Sequence, residues 1–251
     1  MSDSIPPPPP PSAPPPERAA PSGRREGAAR PVRWGVPDVL IAWCVGVGGA
    51  IVASIFVLDA GKPAQLIVGL AGQNGAIIAW LVVTARRKGL GSLRRDFGLV
   101  LRPADWPWLF AGLGLQLAAL LPTALLVTVH GTEAKQDVVN IADRAHGAQI
   151  PLIVLAVAVL APLTEELLFR GVLLRGLLRK VSPAWAVFVA AAVFGLVHLV
   201  GDPSVGSLVA LPAIMALGVV SAWQAASTGS LSRSILLHVG FNALTVVVLF
   251  A

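Results

Sequence analysis

The chain has 251 residues, of which 55% are hydrophobic and 13% charged, and its mean hydropathy is +0.77. So apolar a composition excludes an ordinary water-soluble domain and points to a lipid solvent. The 19 Lys and Arg against 13 Asp and Glu leave a net charge of +6, but the placement of the basic residues excludes a nucleic-acid patch.

Residues 1–33 are rich in proline, with runs at Pro6–Pro11 and Pro14–Pro16, and then in Arg, Gly and Ala. Such a stretch cannot bury a core, and it predicts a disordered cytoplasmic tail or polyproline II segment. No cleavable signal peptide is expected, because the first apolar run begins only after this tail.

From residue 34 onward the chain reads as one all-α, polytopic bundle. About seven apolar stretches are long enough to span a bilayer, at 37–58, 65–85, 106–129, 150–174, 184–200, 207–226 and 234–251. Arg18, Arg24, Arg25, Arg30 and Arg33 precede the first stretch; Arg86, Arg87, Lys88, Arg94, Arg95 and Arg102 separate the second from the third. Arg175, Arg179 and Lys180 follow the fourth, and Arg233 precedes the seventh, whereas the alternate connections hold only Lys62, Lys135 and Arg144. This bias predicts an integral protein of the plasma membrane with its N-terminus in the cytoplasm.

In the first span, Ala42, Gly46 and Ala50 recur every four residues and make a face for close helix packing. Cys44, the single cysteine, is expected to be a buried apolar side chain, and its solitude excludes an intrachain disulfide. The basic stretch from Arg86 to Asp105 reads as a loop ending in Trp106 and Trp108, rings suited to the headgroup level. His130 and His146 read as surface residues.

Ionisable groups inside spans are costly and mark function. The fourth stretch places Glu165 and Glu166 about 22 Å along a helix from Ile150. Glu166 and Arg170 are four residues apart, with the acid on the N-terminal side, and predict an ion pair on one helix face. Glu165 lacks a local cation, so burial should raise its pKa towards that of a general base. Pro162 should loosen the helix just before both and free backbone groups near the site. His198 is the only ionisable residue of the fifth stretch, and His238 and Asn242 share a face of the seventh. Gly195 and Gly240 offer room for close helix approach beside the two histidines.

These residues fall in three ordered motifs: EExxxR at Glu165, Glu166 and Arg170, FxxxH at Phe194 and His198, and HxxxN at His238 and Asn242. In this the sequence resembles the CPBP family of intramembrane proteases, the CAAX prenyl-protease and bacteriocin-processing group formerly called ABI, over about residues 150–251. The resemblance implies an intramembrane peptidase acting on a peptide or a membrane-tethered protein within the bilayer. It further implies Glu165 as general base on a water with His198 sharing the proton transfer, and His238 and Asn242 as donors to the oxyanion. Glu166, Arg170 and Phe194 would be supporting residues. This scheme needs no cofactor. Two imidazoles and a carboxylate also suit catalytic zinc, with Glu165, His198 and His238 as the ligands, so a zinc metalloprotease is the alternative. Non-enzymatic readings are an ion or proton transporter and a bacteriocin-immunity scaffold.

Overall fold

A computed structural model describes residues 32–130, 144–201 and 205–250. Val32–Ala251 forms one compact unit, and residues 1–31 are a separate unit that lies outside the described residues. Among the described residues the chain is an all-α, multi-span membrane bundle.

Helix α1 runs Val36–Ile55 and α2 Lys62–Lys88. Asp38 starts α1 by accepting the Gly35 N–H at 2.8 Å, and its other oxygen pairs with Lys88 Nζ at 2.6 Å, so the ends of α1 and α2 are tied together. The two helices cross where Gly49 and Gly72 face each other: a Cβ on either would meet the other's backbone carbonyl. Of the predicted small-residue face, Ala42 and Gly46 are buried, Gly46 against Ile77 of α2, whereas Ala50 is only partly buried and the close approach falls at Gly49. Cys44 corrects an expectation. It is exposed, because the buried positions Ala42 and Gly46 each lie two residues away and so project from roughly the opposite side of the helix.

The basic stretch expected as a loop contains helix α3, Leu93–Phe97, and a 3₁₀ turn, Pro103–Asp105. Ser92 caps α3 by accepting the Arg95 N–H at 3.3 Å, and Gly98 ends it at φ 75°, a left-handed conformation that glycine adopts without Cβ strain. Helix α4 then runs Pro107–His130. Trp106 is exposed. The side chain of His130 lies outside the described residues, and His146 is exposed.

Helix α5 spans Gln149–Leu178 and is wound as π-helix over Ala156–Leu160 and again over Glu166–Leu174. Helices α6 (Pro183–Gly201), α7 (Val205–Thr228) and α8 (Ser232–Phe250) complete the bundle. Each of the seven apolar stretches falls on a helix. Five are long and apolar enough to cross a membrane by their described residues: α1, α2, α5, Pro183–Val200 of α6 and Gly206–Thr228 of α7; the apolar part of α8, Ser232–Val247, is shorter.

The second π stretch is the centre of the core. All nine residues from Glu166 to Leu174 are buried, packed with Phe97, Phe194, Leu217 and Leu237 from four other elements. Helix α8 is positioned from both ends of the α3–α4 connection. The Leu231 N–H donates to the Gly98 carbonyl at 2.9 Å, the Arg102 N–H donates to Ser232 Oγ at 2.9 Å, and Arg233 Nε meets Asp105 Oδ1 at 3.0 Å. Along their length α4 and α8 approach backbone to backbone, since a Cβ on Gly112 or Gly240 would strike the main chain at Leu237 or Leu109.

Candidate active site

The two adjacent glutamates of α5 have different surroundings. Glu166 is fully buried. Its Oε1 lies 3.1 Å from Arg170 Nη1 and 2.9 Å from His238 Nδ1 of α8. Arg170 is equally buried, donates from Nη2 to the Gly218 carbonyl of α7 at 3.2 Å, and lays its guanidinium 4.2 Å from the Phe194 ring centroid. One guanidinium thus joins α5, α6 and α7, and an unpaired charge at this depth would be far more costly than this paired one.

Glu165 points elsewhere. Its side chain is 28% exposed, and Oε2 lies 3.7 Å from His238 Nε2. The sequence suggests a buried carboxylate without a cationic neighbour, whereas the structure gives it partial exposure and an imidazole from α8. The docking of α8 against α5 brings the imidazole there.

That docking fixes the tautomer of the neutral His238 ring. A carboxylate paired with Arg170 only accepts, so Nδ1 of His238 carries the hydrogen donated to Glu166. In the neutral ring Nε2 is then a lone-pair acceptor directed towards Glu165. The same reasoning applies to His198, whose Nδ1 lies 2.8 Å from the Phe194 carbonyl of its own helix. A carbonyl only accepts, so His198 Nδ1 is the donor and its Nε2 is an acceptor. The two imidazoles flank one ring: Phe194 stands edge-on to His198 at 4.7 Å and to His238 at 5.7 Å between centroids. Phe169 packs edge-on at 5.2 Å and completes the aromatic support.

Asn242 does not meet the glutamates. Its Nδ2 donates to the Val157 carbonyl in the first π stretch of α5 at 2.9 Å. The reason lies in Pro162. In π winding each carbonyl accepts from the residue five positions on, as Ala156 does from Ala161, and the donor owed to Val157 would be the missing N–H of Pro162. The α8 amide fills that vacancy, and Thr164 Oγ1 donates to the next turn at Leu160 O, 3.0 Å away. Pro162 therefore acts through the backbone group it frees. It frees a carbonyl that fastens α8 one turn from His238.

Counting residues from the membrane surface puts Glu165 and His238 at different depths, yet they are neighbours. Helix α8 starts below the end of α5, level with Arg175, whose Nη2 donates to the Gly229 carbonyl at 2.5 Å. Glu166 lies nine residues before Arg175, and His238 nine residues after Gly229, so antiparallel helices bring them together. The structure thus unites Glu165, Glu166, Arg170, Phe194 and His238, sets His198 against the same ring, and attaches Asn242 to the supporting helix. Sequence reasoning missed the Gly218 and Val157 carbonyls. Backbone acceptors leave no residue signature, although Pro162 marked the second.

Among the described residues no group of three or more His, Cys, Asp or Glu side chains comes together as a metal site. Glu165, His198 and His238 do not make a zinc ligand set in this arrangement.

These features define a multi-pass membrane protein with a carboxylate–imidazole cluster inside its helices. Residues 147–244 match the family model described as Rce1-like, type II CAAX prenyl endopeptidase Rce1-like, and the match supports a broad relationship to the CAAX-protease superfamily. No curated protein and no solved structure matches the chain.

Proposed function

We propose that the chain is an intramembrane endopeptidase of the CPBP type, hydrolysing a peptide bond of a membrane-associated protein or peptide with a water activated by Glu165. The observation that carries this reading is the division of labour between adjacent carboxylates. Glu166 is locked by Arg170 and His238 and accessible to nothing, while Glu165 is partly exposed beside an imidazole acceptor.

In the proposed step the water oxygen adds to the substrate carbonyl carbon as Glu165 accepts the water proton. His198 Nε2 is the second proton acceptor. Collapse of the tetrahedral intermediate breaks the C–N bond, and the proton returns from Glu165 or an imidazole to the leaving amine. Donors to the oxyanion are His238, whose Nε2 takes the water proton on from Glu165, and the amide N–H of Asn242 not used by Val157. Phe194 keeps the two rings apart and edge-on. The ordered motifs support the CPBP assignment within the superfamily, and the basic helix ends support a cytoplasmic N-terminus in a plasma membrane spanned seven times.

Glu165→Gln keeps the shape of the side chain and removes the base. The full chain reconstituted in vesicles should lose peptide cleavage by at least a hundredfold, the scale of general-base catalysis, with its thermal unfolding unchanged. A rate within a factor of two of the parent would overturn the assignment.

A further inference from the structure

At the basic end of the bundle a cleft of about 330 Å³ lies between the start of α1, the α2–α3 connection and the end of α5. It is lined by Arg95, Arg175 and Arg179, with Trp34 and Asp96 beside them and the apolar side chains of Val32, Leu90 and Leu178 as its walls. We propose that this cleft binds the phosphate of an anionic molecule at the membrane surface, with a phospholipid headgroup as its source.

Each arginine is held in place and keeps donors to spare. Arg175, in the last turn of α5, and Arg179, at its C-cap, stand one turn apart and so share a face. Arg175 is anchored through Nη2 on the Gly229 carbonyl. Arg179 is anchored through Nη2 on the Trp34 carbonyl at 2.5 Å, and its guanidinium is 4.3 Å from the Trp34 ring centroid. Arg95 reaches Ser92 Oγ through Nε at 3.4 Å. A guanidinium has five N–H donors, so three pre-oriented forks with only part of their donors used suit a tetrahedral oxyanion.

Asp96 is the carboxylate of the lining, and its oxygens are taken up by Trp34 Nε1 at 2.7 Å, the Leu90 N–H at 2.8 Å and the Ser92 N–H at 3.2 Å. Three guanidinium charges against one carboxylate leave the lining with two positive charges. The volume suits a phosphate with its glycerol, and the apolar walls suit the first carbons of acyl chains. This site is independent of the peptidase reading.

The test uses the full chain in a neutral detergent, titrated calorimetrically with dihexanoyl phosphatidylglycerol below its micelle concentration and, in a second arm, with inorganic phosphate. One-to-one lipid binding is expected, weakened about tenfold by Arg95→Gln and by Arg179→Gln, the cost of one charge-assisted hydrogen bond. Arg86→Gln, outside the cleft, should leave it unchanged. Tighter binding of lipid than of phosphate supports the headgroup as source, and equal binding supports a phosphate site with free phosphate as its ligand. Absence of binding in both arms, or a loss in Arg86→Gln equal to that in the cleft variants, would overturn the proposal. Arg95 is exposed, so its variant decides the matter even if Arg179→Gln unfolds.

Discussion

Replacing Arg170 by methionine tests the account of the buried ion pair most directly. Methionine fills much of the same volume, so the loss is electrostatic. Glu166 loses its partner at 3.1 Å, the Gly218 carbonyl loses its donor at 3.2 Å, and Phe194 loses the cation over its face. Breaking a fully buried pair by removing one member costs about 3–5 kcal/mol, because a charge is left uncompensated. At about 4 kcal/mol the unfolding constant rises roughly a thousandfold. Combining Arg170→Met with Glu166→Leu removes the stranded carboxylate and should recover all but about 1 kcal/mol, as buried pairs replaced by apolar residues commonly do. The double variant should still cleave poorly, since His238 Nδ1 then has no acceptor to set its tautomer. The measurement is reversible unfolding in mixed micelles followed by circular dichroism. A single substitution costing under about 1 kcal/mol, or a double variant no more stable than the single one, would refute the buried-pair argument.

Asn242→Ala should destabilise the chain by about 1–3 kcal/mol by orphaning the Val157 carbonyl; adding Pro162→Ala, which restores a backbone donor, should recover most of that in the same unfolding assay. Gly240→Ala places a methyl against the main chain at Leu109 and should cost about 1–3 kcal/mol, with loss of cleavage because α8 carries His238; full activity would show that the α4–α8 contact does not position the site. Outside the spans, burial pulls the Asp105 carboxyl upwards, but hydrogen bonds from Arg233 and Ser232 and the charges of Arg233 and Arg102 outweigh it and hold its pKa below the ordinary value. Its contribution is therefore complete above the unfolded-state pKa of about 4 and lost as pH falls through the lower folded value. Thermal stability of the parent should decline in that acid range more than that of Asp105→Asn, whereas parallel curves would dismiss the contribution.

The sequence alone determined the solvent and singled out the ionisable residues within the spans. Long apolar stretches require lipid, and ionisable residues are so costly there that Glu165, Glu166, Arg170, His198 and His238 stand out without any structure. The i, i+4 spacing of Glu166 and Arg170 foretold their pairing because that contact is local to one helix. Tertiary structure alone decided which glutamate is locked and which is accessible. That depends on where α8 begins, and its start is set by the Gly98, Arg102 and Asp105 contacts and by Arg175 on Gly229. A depth ruler drawn from the membrane surface could not see this. Helix packing places α8 by hydrogen bonds far apart in sequence, and by a carbonyl that Pro162 frees for Asn242.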